Sequence, residues 1–174
     1  MVYNGFIMKD QFKNFLSVLE ALAQQEVEYI LIGGVAVILH GIERLTSDID
    51  FFIKMDQENI ARLRKALHSI FDDQSIDEIT QEALQEYSVI RFGTPDEFHI
   101  DIMARLGEVA VYEDLDYEII LHQGIKIRIA TPETLYNLKK DTLRQKDKFD
   151  AAYLKYIIDI KKSNSSQVKK PNKR

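Results

Sequence analysis

Three aspartates and a glycine pair hold most of the chemistry this sequence can do. Asp48 and Asp50 flank Ile49 in "SDIDFFIK", a segment whose apolar and aromatic residues suit a β-strand. Alternation along a strand turns both carboxylates to one face and Ile49 and Phe51 to the other. Two carboxylates this close repel unless something positive sits between them. Mg²⁺ suits that place, because it takes carboxylate oxygens together with phosphate oxygens. A third acid comes from "FHIDIMA", where Phe98, Ile100 and Ile102 take one face and His99, Asp101 and Met103 the other. Gly33 and Gly34 close the apolar run "EYILI", so backbone N–H groups there can approach a phosphate with no side chain in the way. The positive end of a following helix favours the same anion. Taken singly, a glycine pair marks a tight turn and an Asp-x-Asp a surface pair. Their order, with a third strand-borne Asp, is what makes the pattern specific.

The elements that must position these residues follow from periodicity. "KDQFKNFLSVLEALAQQ" sets Phe12, Phe15, Leu16, Leu19 and Leu22 at helical spacing. "VEYILIG" is a short buried strand, and "VAVILHG" a buried helix stopped by Gly41. After the Asp-x-Asp strand, "DQENIARLRKALHSIF" is an amphipathic helix with Asp56 as N-cap and Ile60, Leu63, Leu67 and Ile70 on one face. "YSVIRFG" and "EFHIDIMARL" are two strands joined by a "TPD" turn, and "KIRIA" is the last strand. "TPETLYNLKKDTL" is a helix with Thr131 as N-cap and Pro132 at its first position. A final helix over Lys146 to Ile160 carries Phe149, Tyr153, Leu154, Tyr156 and Ile157. The segments from Gln74 to Glu86 and from Gly107 to Tyr117 are acidic and unpatterned. The expected fold is α/β (α+β): one domain over residues 1–160, a small mixed sheet flanked by helices, with C-terminal helices.

Composition narrows the function classes. A chain of 174 residues fits one domain with a real core. It contains no cysteine, which excludes disulfides, a thiolate nucleophile and Cys-ligated zinc. No apolar run approaches membrane-spanning length, and the first residues lack signal-peptide order, so a cytoplasmic location is expected. Residues 161–174 hold six Lys or Arg and no acid, so the net charge of −5 leaves −11 on residues 1–160. An acidic body argues against a broad DNA-binding surface. The basic tail over 161–174 is expected to be disordered.

The segment "GGVAVILHGIERLTSDIDFFI" resembles the signature of the nucleotidyltransferase superfamily of DNA polymerase β-like fold, in the branch related to AbiEii toxins of type IV toxin–antitoxin systems. That signature runs Gly-Gly or Gly-Ser, a helix, Arg-x-Thr/Ser-x-Asp-h-Asp and a later h-Asp-h strand, where h is apolar. Here it falls on Gly33, Gly34, Arg44, Thr46, Asp48, Asp50 and Asp101. "LYNLKKDTLRQKDKFDAAYL" resembles the branch's C-terminal segment, on Lys139, Arg144, Lys146, Asp147 and Asp150. The branch often has Gly-Ser where this chain has Gly-Gly, and full-length AbiEii toxins carry a larger C-terminal region.

The resemblance implies Mg²⁺-dependent transfer of a nucleoside monophosphate from an NTP to a hydroxyl of a protein, RNA or small molecule. It implies two Mg²⁺ ions on Asp48 and Asp50, with Asp101 holding the one that activates the acceptor. Gly33, Gly34, Arg44, Thr46, Lys139 or Lys140, Arg144 and Lys146 would hold nucleotide phosphates, Arg44 alternatively bracing the Asp48–Asp50 strand. A cognate antitoxin is the implied partner. Two other readings stand beside it. One is an antibiotic nucleotidyltransferase, although aminoglycoside and lincosamide enzymes usually place a Trp after the glycines and this chain has none. The other is a partner-binding module without catalysis, which has no need of three converging acids. Asp147 and Asp150 are expected to pair with Lys or Arg, His40 to be a satisfied core histidine, and His99 to lie near the site.

Overall fold

The apolar segments at strand period assemble into one sheet, and those at helical period cover it. The computed structural model describes residues 3–106 and 110–168. In chain order the elements are α1 (Tyr3–Gln24), β1 (Tyr29–Ile32), α2 (Gly33–Leu39), β2 (Asp48–Ile53) and α3 (Gln57–His68). A 3₁₀ turn (Gln74–Glu78) precedes α4 (Gln81–Glu86), then β3 (Ile90–Gly93), β4 (His99–Met103), β5 (Arg105–Leu106) and β6 (Ala110–Val111). A second 3₁₀ turn (Tyr112–Asp114) leads to β7 (Tyr117–His122), β8 (Ile125–Ala130), α5 (Pro132–Lys139) and α6 (Gln145–Val168).

Six strands form the main sheet in the order β3-β4-β2-β1-β8-β7, and β5 and β6 form a separate ladder. The sheet is mixed: β2 runs parallel to β4 and β1 parallel to β8, while the remaining neighbours are antiparallel. Ile49 and Phe51 of β2 lie beside Ile100 and Ile102 of β4, all four fully buried. Under them Phe15 of α1 packs edge-on against Phe98, ring centroids 5.3 Å apart. At a buried aliphatic side chain's worth of about 2 kcal/mol, this apolar face is a main source of the fold's stability. It also fixes strand register, because a one-residue slip would bury Asp48 and Asp50.

The local signals act as read. Asp56 accepts from the Asn59 N–H at 2.8 Å and caps α3, and Thr131 caps α5 with Pro132 in its first turn. Gly41, at φ 105°, follows α2 in a conformation open to glycine. The "TPD" turn joins β3 to β4, with the Thr94 N–H donating to the Phe98 carbonyl at 3.0 Å.

Several expectations are corrected. Residues 74–86 are not unpatterned: Asp73 and Thr80 cap two short helical turns that bury Ile76, Ile79 and Leu84. The segment after "FHIDIM" does not continue as one strand, because the chain bends at Ala104 and enters the β5–β6 ladder. "YEIILH" forms β7, an edge strand missing from the sequence reading. Ile70 lies beyond the end of α3 and is exposed, while Phe71 is buried in its stead. On α6, Phe149 and Tyr156 face solvent; the buried stripe is Asp147, Asp150, Ala151, Leu154 and Ile158. Two acids in that stripe conceal its position from an apolar count. The helix also continues past residue 160 to Val168, since no Gly or Pro interrupts it before Pro171. Residues 161–168 of the basic tail are thus described as part of α6, and residues 169–174 lie outside the described residues. Among the described residues no helix is long and apolar enough to cross a membrane.

Candidate active site

The three carboxylates share one sheet face and one cleft. In the parallel β2–β4 register Asp50 stands directly beside Asp101, and Asp48 beside His99. All three aspartates share the sheet face opposite Ile49 and Ile100. They line a cleft of about 490 Å³ together with Gly33, Gly34, Arg44, Thr46, Lys139, Arg144 and Lys146; of the residues chosen for the site from the sequence, Lys140 is not among those lining it. Among the described residues, a larger cavity of about 630 Å³ shares Arg44 and Thr46 with this one; its other walls include Phe12, Phe15, Leu16 and Ile38, and no carboxylate of the described residues lines it. The three aspartates lie in the smaller cleft.

Asp50 shows how the glycines work. Gly33 has φ +67°, and a Cβ placed there would lie 1.9 Å from Asp50 Oδ2. A side chain at this position would displace the carboxylate from its seat. A Cβ on Gly34 would lie 2.7 Å from Thr46 Oγ1. The bare bend therefore makes room for the site's own Asp50 and Thr46, a need the sequence reading assigned to phosphate alone. Burial pushes the Asp50 carboxyl up to about 6, with the charges of Asp101 and Asp48 acting the same way against the Gly34 N–H and Lys139.

The basic residues divide into two groups. Lys139, expected at a phosphate, is buried, and its Nζ is held by Asp147 Oδ1 at 2.8 Å and Asp150 Oδ2 at 3.0 Å. Thr142 Oγ1 donates to the other oxygen of Asp147 at 3.0 Å. Burial acts to raise the Asp147 carboxyl, but the bonds from Lys139 and Thr142 and the charge of Arg144 outweigh it and hold the group below its ordinary range. Arg44 donates to Asp150, so it braces α6 and not the β2 strand. Thr46 Oγ1 donates to the Asp48 carbonyl at 3.1 Å and orders the entry to β2. Lys140 lies over the Tyr136 ring, 5.9 Å from its centroid. Arg144 and Lys146 are exposed at the cleft wall.

The histidines fall as expected. His40 is nearly buried, with Nε2 at 2.9 Å from the Ala130 carbonyl. His99 Nδ1 lies 3.4 Å from Asp48 Oδ1 at the edge of the site. Sequence reasoning missed Arg91, which donates from Nε and Nη2 to both oxygens of Asp101, at 2.8 and 2.7 Å. Its signal was available: Arg91 and Asp101 are antiparallel partners on β3 and β4, and once the "TPD" turn fixes the hairpin a basic residue opposite a strand-borne acid follows. Val89, Met103 and Leu106 form an apolar wall of the cleft that was also not foreseen.

The donor set suits a hard divalent cation, being carboxylate oxygens on one sheet face. Burial first, and then the charges of Asp101 and Asp48, push the Asp50 carboxyl up, and a cation among these carboxylates would offset the repulsion. Among the described residues, no group of three acidic or imidazole side chains is already gathered as a ligand set. Both oxygens of Asp101 are engaged by Arg91 instead.

Solved structures share this architecture. The lincosamide antibiotic adenylyltransferase LnuA, with lincomycin bound, has a TM-score of 0.53 at 17% identity, over 82% of this chain and 95% of that one. An antigenic nucleotidyltransferase-like protein from Paracoccidioides brasiliensis has a TM-score of 0.53 at 16% identity, over 83% of this chain and 75% of that one. At such identities the likeness defines the fold, which is that of the nucleotidyltransferases. No curated protein sequence matches the chain significantly. The profile of the family described as nucleotidyl transferase AbiEii toxin, type IV TA system, matches residues 15–155, and the chain belongs to that family. Nucleotidyl transfer is its class of activity.

Proposed function

We propose that the protein transfers a nucleoside monophosphate from an NTP to a hydroxyl group, using Asp48, Asp50 and Asp101 to hold Mg²⁺. The observation that carries this reading is the β2–β4 register, which sets Asp50 beside Asp101 above the glycine bend. Bound there, Mg²⁺ would neutralise phosphate charge and acidify the acceptor hydroxyl. The chain's own residues supply the rest. Gly33 and Gly34 leave room at the cleft for the Asp50 carboxylate and the Thr46 hydroxyl, and Arg144 and Lys146 reach the cleft as phosphate contacts. Lys139 acts through Asp147 and Asp150, keeping α6 against the cleft wall. The acceptor oxygen bonds to the α-phosphorus as the bond from that phosphorus to the bridging oxygen breaks. Pyrophosphate departs with that oxygen, and Asp101 takes the hydroxyl proton. Positioning and charge neutralisation account for most of the acceleration.

The family's description supports a toxin role, with a cognate antitoxin as partner and an acceptor among protein, RNA or small molecules. An NTP substrate accords with work in the cytoplasm. The test is incubation with each α-labelled NTP, Mg²⁺ and cell extract, followed by separate nuclease and protease digestion. Transfer of label with release of pyrophosphate, lost in Asp50→Asn and on chelation, is the expected result. Equal labelling by wild type and Asp50→Asn would refute the assignment.

A further inference from the structure

The charges around the cleft separate into two sets. Arg44 and Lys139 are bonded to Asp147 and Asp150, two cations against two anions, in the wall made by α5 and α6. Asp48, Asp50 and Asp101 form the other set, and the cation bonded to them among the described residues is Arg91, through a two-pronged contact to Asp101. The partners differ in freedom. The Asp101 side chain is 10% exposed and fixed on an inner strand; the Arg91 side chain is 58% exposed at the sheet edge. If the pair parts, the guanidinium regains water at little cost, whereas the carboxylate stays buried and needs another positive group.

We infer that Arg91 is the displaceable counter-ion of Asp101: it occupies the carboxylate while the cleft holds no cation, and turns to the nucleotide's phosphates when one enters. This rests on the proposed role of Asp101 as a cation ligand. Arg91 is then a positioning residue before substrate arrives and a phosphate contact afterwards. A guanidinium fork suits both tasks, since carboxylate and phosphate present the same paired oxygens. The exchange also makes cation and nucleotide binding mutually supporting, because the phosphates receive the arginine that the cation displaces.

The test is a titration of the full chain with Mn²⁺, read by electron paramagnetic resonance of the free ion, with and without a non-hydrolysable ATP analogue. Wild type, Arg91→Gln, Arg91→Lys and Asp50→Asn are compared. Without nucleotide, Arg91→Gln should bind Mn²⁺ about tenfold more tightly than wild type, the worth of the charge-assisted bonds the ion no longer has to break. With the analogue present, the same variant should bind nucleotide more weakly. Arg91→Lys, which keeps the charge but loses the fork, should shift in the same directions by less, and it serves alone if Arg91→Gln does not fold. Equal or weaker Mn²⁺ binding by the folded Arg91 variants would overturn this inference while leaving the metal site intact. Absence of Mn²⁺ binding in every protein, with or without nucleotide, would overturn both this inference and the catalytic reading beneath it.

Discussion

Asp50 is pressed from three sides, by its own burial and by the charges of Asp101 and Asp48. Its carboxyl moves from an ordinary 3.8 to about 6 in the folded protein. Between those values the folded chain keeps a proton that the unfolded chain has released, so metal-free stability falls as pH rises through this interval and the penalty is complete above it. Asp50→Asn removes the penalty. In chelator, the variant should exceed wild type by about 2 kcal/mol in urea unfolding near pH 8, and the gap should close near pH 4. A gap independent of pH would show that Asp50 bears no such strain. Divalent cation should close it from the other direction, by stabilising wild type alone.

At the scale of elements, the buried set of Arg44, Lys139, Asp147 and Asp150 ties the segment before β2 to α5 and α6. Asp150 is shared by both cations. Asp150→Ala would leave two buried positive groups short of a partner and should cost about 3 kcal/mol in unfolding free energy, far more than loss of an exposed pair such as Arg62–Glu58. A cost below about 1 kcal/mol would mean the network does not dock α6. The same set shows where sequence reading stops. The triad was legible because alternation in "SDIDFFI" and "FHIDIMA" fixes which side each acid takes, and the glycines mark the bend beside it. The role of Arg44 was not, because an ion pair between residues 106 positions apart leaves no local periodicity; Lys139, only 8 positions from Asp147, was placed at a phosphate although Asp147 and Asp150 were expected to pair with Lys or Arg. Nor was the buried face of α6, where Asp147 and Asp150 occupy places an apolar count assigns to solvent. The edge strand β7 escaped for a related reason: its exposed Tyr117, Ile119 and Leu121 blur the contrast between inner and outer faces.

At the scale of the whole molecule, nucleotide and cation should act as ligands of the folded state alone. An ATP analogue with Mg²⁺, at about 100 times its Kd, should add about 3 kcal/mol and raise Tm by roughly 5 to 10 °C, an increment that chelation abolishes. Calorimetry with the analogue alone, Mg²⁺ alone and both together separates the contributions; a shift from the analogue that ignores the metal would contradict a cation-bridged site. The parallel pairing of β2 with β4, and the closure of Arg44 onto Asp150, draw the cleft from both halves of the chain. During synthesis the glycine bend and the first two acids leave the ribosome well before Asp101, and the α6 wall emerges later still. A growing polypeptide thus carries no finished pocket until α6 has emerged and docked.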